Sequence, residues 1–244
     1  LWGANPGPEH GNPLDQFQYS QVQFMPGLQQ AQMEETHSVL MGLSEDSLLR
    51  PFRVREGLPA PGIDMGGWYD TYAFAPAHAY GQWLSALSRY YAATNDQATL
   101  AKIDRMVKGY AATIDPKGKF FNDNRFPAYI YDKLICGLED AYLLAHHPMA
   151  VETMTRLTDA ALPHLPGKAM PHWETEIRNH EDFTQHAWDE SHTIPENQFI
   201  AWQRTGNPRY LELAKQYLFN KEYFDPLSRG ENVLPGRHAY SDVN

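Results

Sequence analysis

Cysteine occurs once in 244 residues, at Cys136, so neither an internal disulfide nor a multi-cysteine metal site can form within this chain. Long apolar runs are missing as well. Arg, Lys, Asp or Gly interrupts every stretch before it approaches the roughly 20 residues of a membrane-crossing helix. Positive charge is scarce: 20 Lys and Arg against 30 Asp and Glu leave a formal net charge of −10, and the basic residues are scattered instead of forming a stripe. That balance argues against nucleic acid as a partner and, more mildly, against an anionic substrate. The chain opens on Leu1 with no Met and no signal-peptide pattern, and is read as a processed or excerpted polypeptide.

What is present is apolar and aromatic. At 42% hydrophobic residues the chain can bury a substantial core. Six Trp, 14 Tyr and 11 Phe accompany 11 His and 18 Pro, and such rings serve core packing and sugar stacking equally well. Composition does not choose between them.

Periodicity is helical, with little alternation of the strand kind. Apolar residues recur at three and four from Leu28 to Leu43, predicting an amphipathic helix. Pro51, Gly57, Pro59, Pro61, Gly62, Gly66 and Gly67 then read as a loop over 51–75. Pro76 is placed for helix entry, and Trp83, Leu84, Leu87 and Tyr91 carry a helix over 76–93. After a turn at 94–96 a helix returns through Leu100, Ile103, Met106, Val107 and Tyr110. The same unit recurs at 130–144 with its return through Val151, Met154, Leu157 and Ala161, and at 195–203 with its return through Tyr210, Leu213, Ala214 and Leu218. Helical hairpins repeated at this period indicate an all-α solenoid or a closed (α/α) toroid. Residues 1–27 read as an irregular leading segment, and 28–244 as hairpin repeats.

Turns inside each hairpin are short, whereas the segments entering the outgoing helices are long. In a ring those entry segments gather on one face and make a pocket. They hold Trp68, Asn122, Asp123, Asn124, Trp173, Trp188, Asp189, Glu190, His192 and His238, polar and aromatic residues on loops over a rigid scaffold.

These residues carry a resemblance. Gly66-Gly67-Trp68, His78 with Trp83-Leu84-Ser85-Ala86-Leu87, and Tyr91-Ala92-Ala93-Thr94-Asn95-Asp96 resemble the opening of the glycoside hydrolase family 127 catalytic domain, the β-L-arabinofuranosidase-like enzymes. Tyr129 followed by Lys133 and Gly137-Leu138-Glu139-Asp140-Ala141-Tyr142 is similar to that family's next inner helix. Glu190, Glu196 and Thr205-Gly206-Asn207-Pro208-Arg209-Tyr210 resemble the third, and Leu234-Pro235-Gly236-Arg237-His238-Ala239 the loop after it.

The resemblance implies an (α/α)6 barrel, of which this chain supplies about the first half. It implies a retaining, exo-acting glycosidase on a non-reducing terminal sugar such as β-L-arabinofuranose, with oligosaccharide or polysaccharide side chains as partners. In some members a zinc-bound cysteine is the nucleophile and a glutamate the acid/base. Those residues follow the point where this chain stops, so the resemblance assigns it sugar-binding residues and no cofactor of its own, zinc belonging to a longer member. Gln82 and Asp132 stand where the family pattern carries histidines.

The candidate substrate-binding residues are therefore Trp68, His78, Gln82, Asp132, His192 and His238, with Glu190 and Glu196 as candidate catalytic carboxylates. Each has a plainer alternative. His78 lies four residues before Gln82 on one helical face, for a sugar hydroxyl or as a histidine satisfied in the core. Asp132 and Glu196 sit in first turns, where a carboxylate also complements the helix dipole. A paired-carboxylate glycosidase needs a fixed separation that sequence does not supply. His172, His180, His186 and His192 match no metal-ligand spacing, and Cys136, among Leu134, Ile135 and Leu138, reads as a small buried hydrophobe. Three classes stay open at this level: an exo-glycosidase, another toroid enzyme such as a polysaccharide lyase or uronyl hydrolase, and a non-catalytic carbohydrate-binding or scaffold protein.

Overall fold

The computed structural model describes residues 17–169 and 191–235, which form helices and connecting turns with no strand among them. In order these are α1 (Leu28–Gly42), α2 (Glu45–Glu56), α3 (Ala79–Thr94), α4 (Gln97–Ala111), α5 (Pro127–Leu143), α6 (Ala150–Ala161), α7 (Ile194–Thr205) and α8 (Pro208–Gln216). A π-helical turn at Asn220–Phe224 then runs into the short α9 (Asp225–Ser228).

The three expected hairpins are α3/α4, α5/α6 and α7/α8. Local chemistry explains two of the turns. Asn95 ends α3 in the left-handed conformation, and the Asp96 side chain then accepts from Thr99 N at 2.7 Å to cap α4. Gly206 and Asn207 repeat this between α7 and α8, with Asn207 Oδ1 accepting from Arg209 N at 3.1 Å. A left-handed C-terminal residue followed by an Asx cap reverses the chain within three residues.

α5 and α7 run Pro127–Leu143 and Ile194–Thr205 where 130–144 and 195–203 were expected, and two further boundaries differ from the sequence reading. The expected loop over 51–75 begins only after Glu56, because Pro51 lies inside α2. Its ring removes the donor for the Ser47 carbonyl, but Ser44 caps the helix and Pro51 and Phe52 anchor it in the core. The stop comes at Gly57, left-handed at φ 73°, where Gly57 and Leu58 both donate to the Arg53 carbonyl. The second boundary is the start of α3, at Ala79 and not Pro76. Ala77 turns left-handed at φ 55°, which leaves His78 as the capping residue just outside the helix.

α5 is the central element, packed between α3 and α7, with α4 and α6 on the outer side. Leu84, Leu87, Ile103, Met106, Ile130, Leu134, Ile135, Leu138 and Leu157 are each 1% exposed or less, and full burial of such a side chain contributes about 1.5–3 kcal/mol. The α3–α5 crossing is closer than side chains permit. A Cβ placed on Gly81 would fall onto the Lys133 carbonyl, and one on Gly137 onto the backbone of Gly81, so two glycines let the backbones touch. That contact sets His78 beside the first turns of α5.

Two cations tie the periphery down. Lys102, 1% exposed, donates to the Leu43 carbonyl at 2.5 Å and to Met41 at 3.3 Å, satisfying the open end of α1. Arg55 on α2 donates to the carbonyls of Phe120, Thr71 and Asn122 at 2.9, 3.1 and 2.6 Å. One guanidinium thereby fixes both loops that lead into α3 and α5.

Candidate functional site

The beginnings of α3, α5 and α7 meet at one place. On the α3 side, the chain before His78 lays down a row of rings: Trp68 is 4.8 Å from Phe74, Phe74 is 4.5 Å from Phe126, and Trp68 is 6.3 Å from His78 between centroids. His78 in turn lies 6.2 Å from Tyr129 in the first turn of α5, the two rings nearly parallel. Most of this wall is packed against the core, but Trp68 is 61% exposed. A large exposed indole backed by other rings is an apolar platform facing solvent.

His78 Nδ1 donates to the Ala75 carbonyl at 2.8 Å, which fixes its tautomer. Burial lowers its pKa, and the positive charge of Lys133 adds to this against the carbonyls of Ala75 and Trp68. The imidazole is accordingly neutral at pH 7.

α5 supplies the polar group next to this wall. Lys133 Nζ lies 5.1 Å over the Tyr129 ring and 3.6 Å from Asp132 Oδ2. Tyr129 and Lys133 are four apart, one above the other on α5. Asp132, 3% exposed, accepts from Asn197 Nδ2 at 2.7 Å and from Thr193 Oγ1 at 3.2 Å. Burial raises its pKa, the neighbouring Glu196 charge adds to the rise, and Lys133, Asn197 and Thr193 offset part of it. Asp132 thus joins α5 to the start of α7.

The remaining candidates are spread more widely. Glu196 is solvent-exposed in the first turn of α7. Gln82 is exposed one turn beyond His78 on α3. His192 is buried, its ring 5.7 Å from that of Phe219. Glu190 and His238, with Trp173, Trp188, Asp189 and the histidines at 172, 180 and 186, lie outside the described residues.

Sequence reasoning passed over Asn197, Thr193 and Lys133 as site residues. The spacing of Tyr129 and Lys133 was a usable signal, whereas nothing in a single sequence pairs Asp132 with Asn197. Glu139 was also missed. It is 4% exposed, its Oε1 has no hydrogen-bond partner, and burial, with the charges of Asp132, Asp140 and Glu196, holds its pKa well above the usual carboxylate range.

The sequence model of the β-L-arabinofuranosidase GH127 catalytic domain matches residues 21–244. The chain belongs to this family of glycoside hydrolases. A comparison with curated proteins finds no match. The helical hairpins of this family 127 domain fit the all-α toroid that the sequence predicted, and its substrates are carbohydrates. No helix among the described residues is long and apolar enough to cross a membrane.

A zinc-bound thiolate, as implied for some family members, needs a deprotonated cysteine and further metal ligands around it. Among the described residues no group of three or more His, Cys, Asp and Glu side chains is placed to hold a metal ion. Cys136 is half-buried, and burial together with Asp140, Asp132 and Glu139 pushes its thiol up to about 12, the reverse of what a thiolate ligand needs. These residues do not fit such a centre.

Proposed function

We propose that the cluster at the beginnings of α3, α5 and α7 is part of the pocket for a non-reducing terminal sugar such as β-L-arabinofuranose, in an exo-acting glycosidase. The observation that carries this reading is the exposed Trp68 platform beside His78, from which contacts run on through Tyr129 and Lys133 to Asp132. A sugar offers a C–H face for a ring and hydroxyls that both donate and accept. Lys133, held 3.6 Å from Asp132, supplies donors, and neutral His78 adds a polar edge.

Glu196 is an exposed carboxylate in the first turn of α7, near enough for its charge to act on Asp132. Asp132 is already engaged by Thr193 and Asn197, which suits positioning better than nucleophilic attack. No catalytic pair is assigned among the described residues.

Isothermal titration calorimetry with L-arabinose tests the reading. Wild-type protein is expected to bind, and Trp68→Ala to weaken binding by about two- to tenfold, since stacking on one ring is worth roughly 0.5–1.5 kcal/mol. Equal binding by both proteins, or none by wild type, would refute it.

A further inference from the structure

A second cavity, of about 370 Å³, opens between α2 and the loops at 72–76 and 119–125. Its volume falls within the roughly 300–1,000 Å³ range of small-molecule sites. Three features separate it from an ordinary surface dip. The first is charge: Arg55, Lys119 and Arg125 line it with Asp123, and since Lys119 is paired with Asp115 at 3.1 Å, two guanidinium groups face one acid on a chain of net charge −10. The second is an unmet donor. Asn124, 3% exposed, uses its Oδ1 to accept from Phe126 N at 3.2 Å, while its buried Nδ2 has no partner. An unpaired buried donor costs about 1–3 kcal/mol, which an acceptor bound on the cavity side would recover. The third is pre-organisation, since Arg55 clamps both lining loops through three backbone carbonyls.

The cavity and the ring wall share one stretch of chain. The loop that holds Asn124 and Arg125 runs directly into Phe126, which stacks on Phe74 and through it on Trp68. We propose that this cavity is a second subsite that binds the carboxylate of an acidic sugar, a uronate, elsewhere on the same glycan. Arg125 attracts the carboxylate, and Asn124 Nδ2 donates to one of its oxygens. The substrate would then combine a neutral terminal sugar with a uronate-bearing neighbour, which reconciles an acidic protein with an anionic ligand through local field. The sugar part of this assignment rests on the glycosidase reading above; the anion-binding part does not.

Calorimetric titrations with galacturonate, galactose and inorganic phosphate test it on the full chain. Galacturonate is expected to bind at least about tenfold more tightly than galactose, and the advantage to shrink as salt rises. Arg125→Ala, an exposed substitution, and Asn124→Asp, which keeps the acceptor for Phe126 N but sets a negative charge against the ligand, are each expected to weaken galacturonate by about fivefold or more. Should Asn124→Asp fail to fold, Arg125→Ala decides the question alone. Equal binding of galacturonate and galactose, or no effect of Arg125→Ala, overturns the subsite. Phosphate binding as tightly as galacturonate overturns its assignment to a sugar. L-Arabinose titrated in parallel separates the two readings: its failure with galacturonate binding retained sinks the terminal-sugar pocket, and the converse sinks only the second subsite.

Discussion

Replacing Gly81 with alanine probes the contact on which the whole site is built. The new methyl meets the Lys133 carbonyl and the peptide that follows it, and backbone cannot rotate aside as a flexible side chain does. Overpacking costs typically about 1–3 kcal/mol, and a clash with backbone belongs at the top of that range. Alanine recovers about 1 kcal/mol of helix propensity over glycine. The net expectation is a loss of about 2 kcal/mol, or a fall in Tm of roughly 4–8 °C for a domain of this size. Gly42→Ala is the control, since nothing lies within 4 Å of its added methyl, and it is expected to leave Tm unchanged or raise it. Gly137→Ala attacks the same crossing from the other helix, so the double substitution should cost less than the sum of the singles once the helices have parted. Thermal melts followed by circular dichroism give all four values. A Gly81→Ala protein as stable as wild type would show that α3 and α5 are not in backbone contact, and the placement of His78 against Tyr129 would fall with it.

Further expectations follow from single side chains. Arg55→Ala strips donors from three carbonyls and should cost at least about 2 kcal/mol in a denaturant melt, with Arg55→Lys recovering little because an ammonium cannot span three divergent acceptors; a cost under about 0.5 kcal/mol would count against the clamp. Burial holds the folded-state pKa values of Glu139 and Asp132 above those of the unfolded chain, so below the unfolded values neither group affects stability, and as pH rises past them the unfolded state loses protons first and stability falls. Glu139→Gln should therefore raise Tm at pH 8 and leave it nearly unchanged at pH 4, and an equal effect at both would contradict the buried, neutral acid. Asn197→Leu removes a donor from Asp132 and is expected to lower stability by about 1–3 kcal/mol and to weaken L-arabinose binding, whereas Asn197→Asp should do worse by placing a second carboxylate there.

The hairpins were legible because their signals are local. Thr94-Asn95-Asp96 and Thr205-Gly206-Asn207-Pro208 spell out a left-handed stop and an Asx cap within four residues, and the structure uses them in that way. α2 was hidden by Pro51, which the sequence reading took as a breaker and which the structure keeps inside the helix, where Leu48, Leu49 and Phe52 are buried beside it. The same limit applied to the site. His78 and Trp68 stood out by type and place, but the partnership of Asp132 with Asn197 spans 65 residues and depends on how α7 docks on α5. Arg55 looked like one more scattered basic residue because its three acceptors are backbone carbonyls, which carry no sequence signature. Glu139 sat in view within Gly137-Leu138-Glu139-Asp140, yet helical phase alone did not tell its buried carboxylate from the exposed edge.

The most direct test of the central claim, that the beginnings of three helices form one sugar pocket, is a two-dimensional NMR titration of the chain with L-arabinose. The account predicts progressive shifts at the Trp68 indole N–H, at the amides of Tyr129 and Lys133, and at the Asn197 side-chain amide, with the groove lined by Tyr19, His37 and Tyr90 unaffected. Saturating sugar that leaves those signals in place, or that moves only residues of that distant groove, would contradict it.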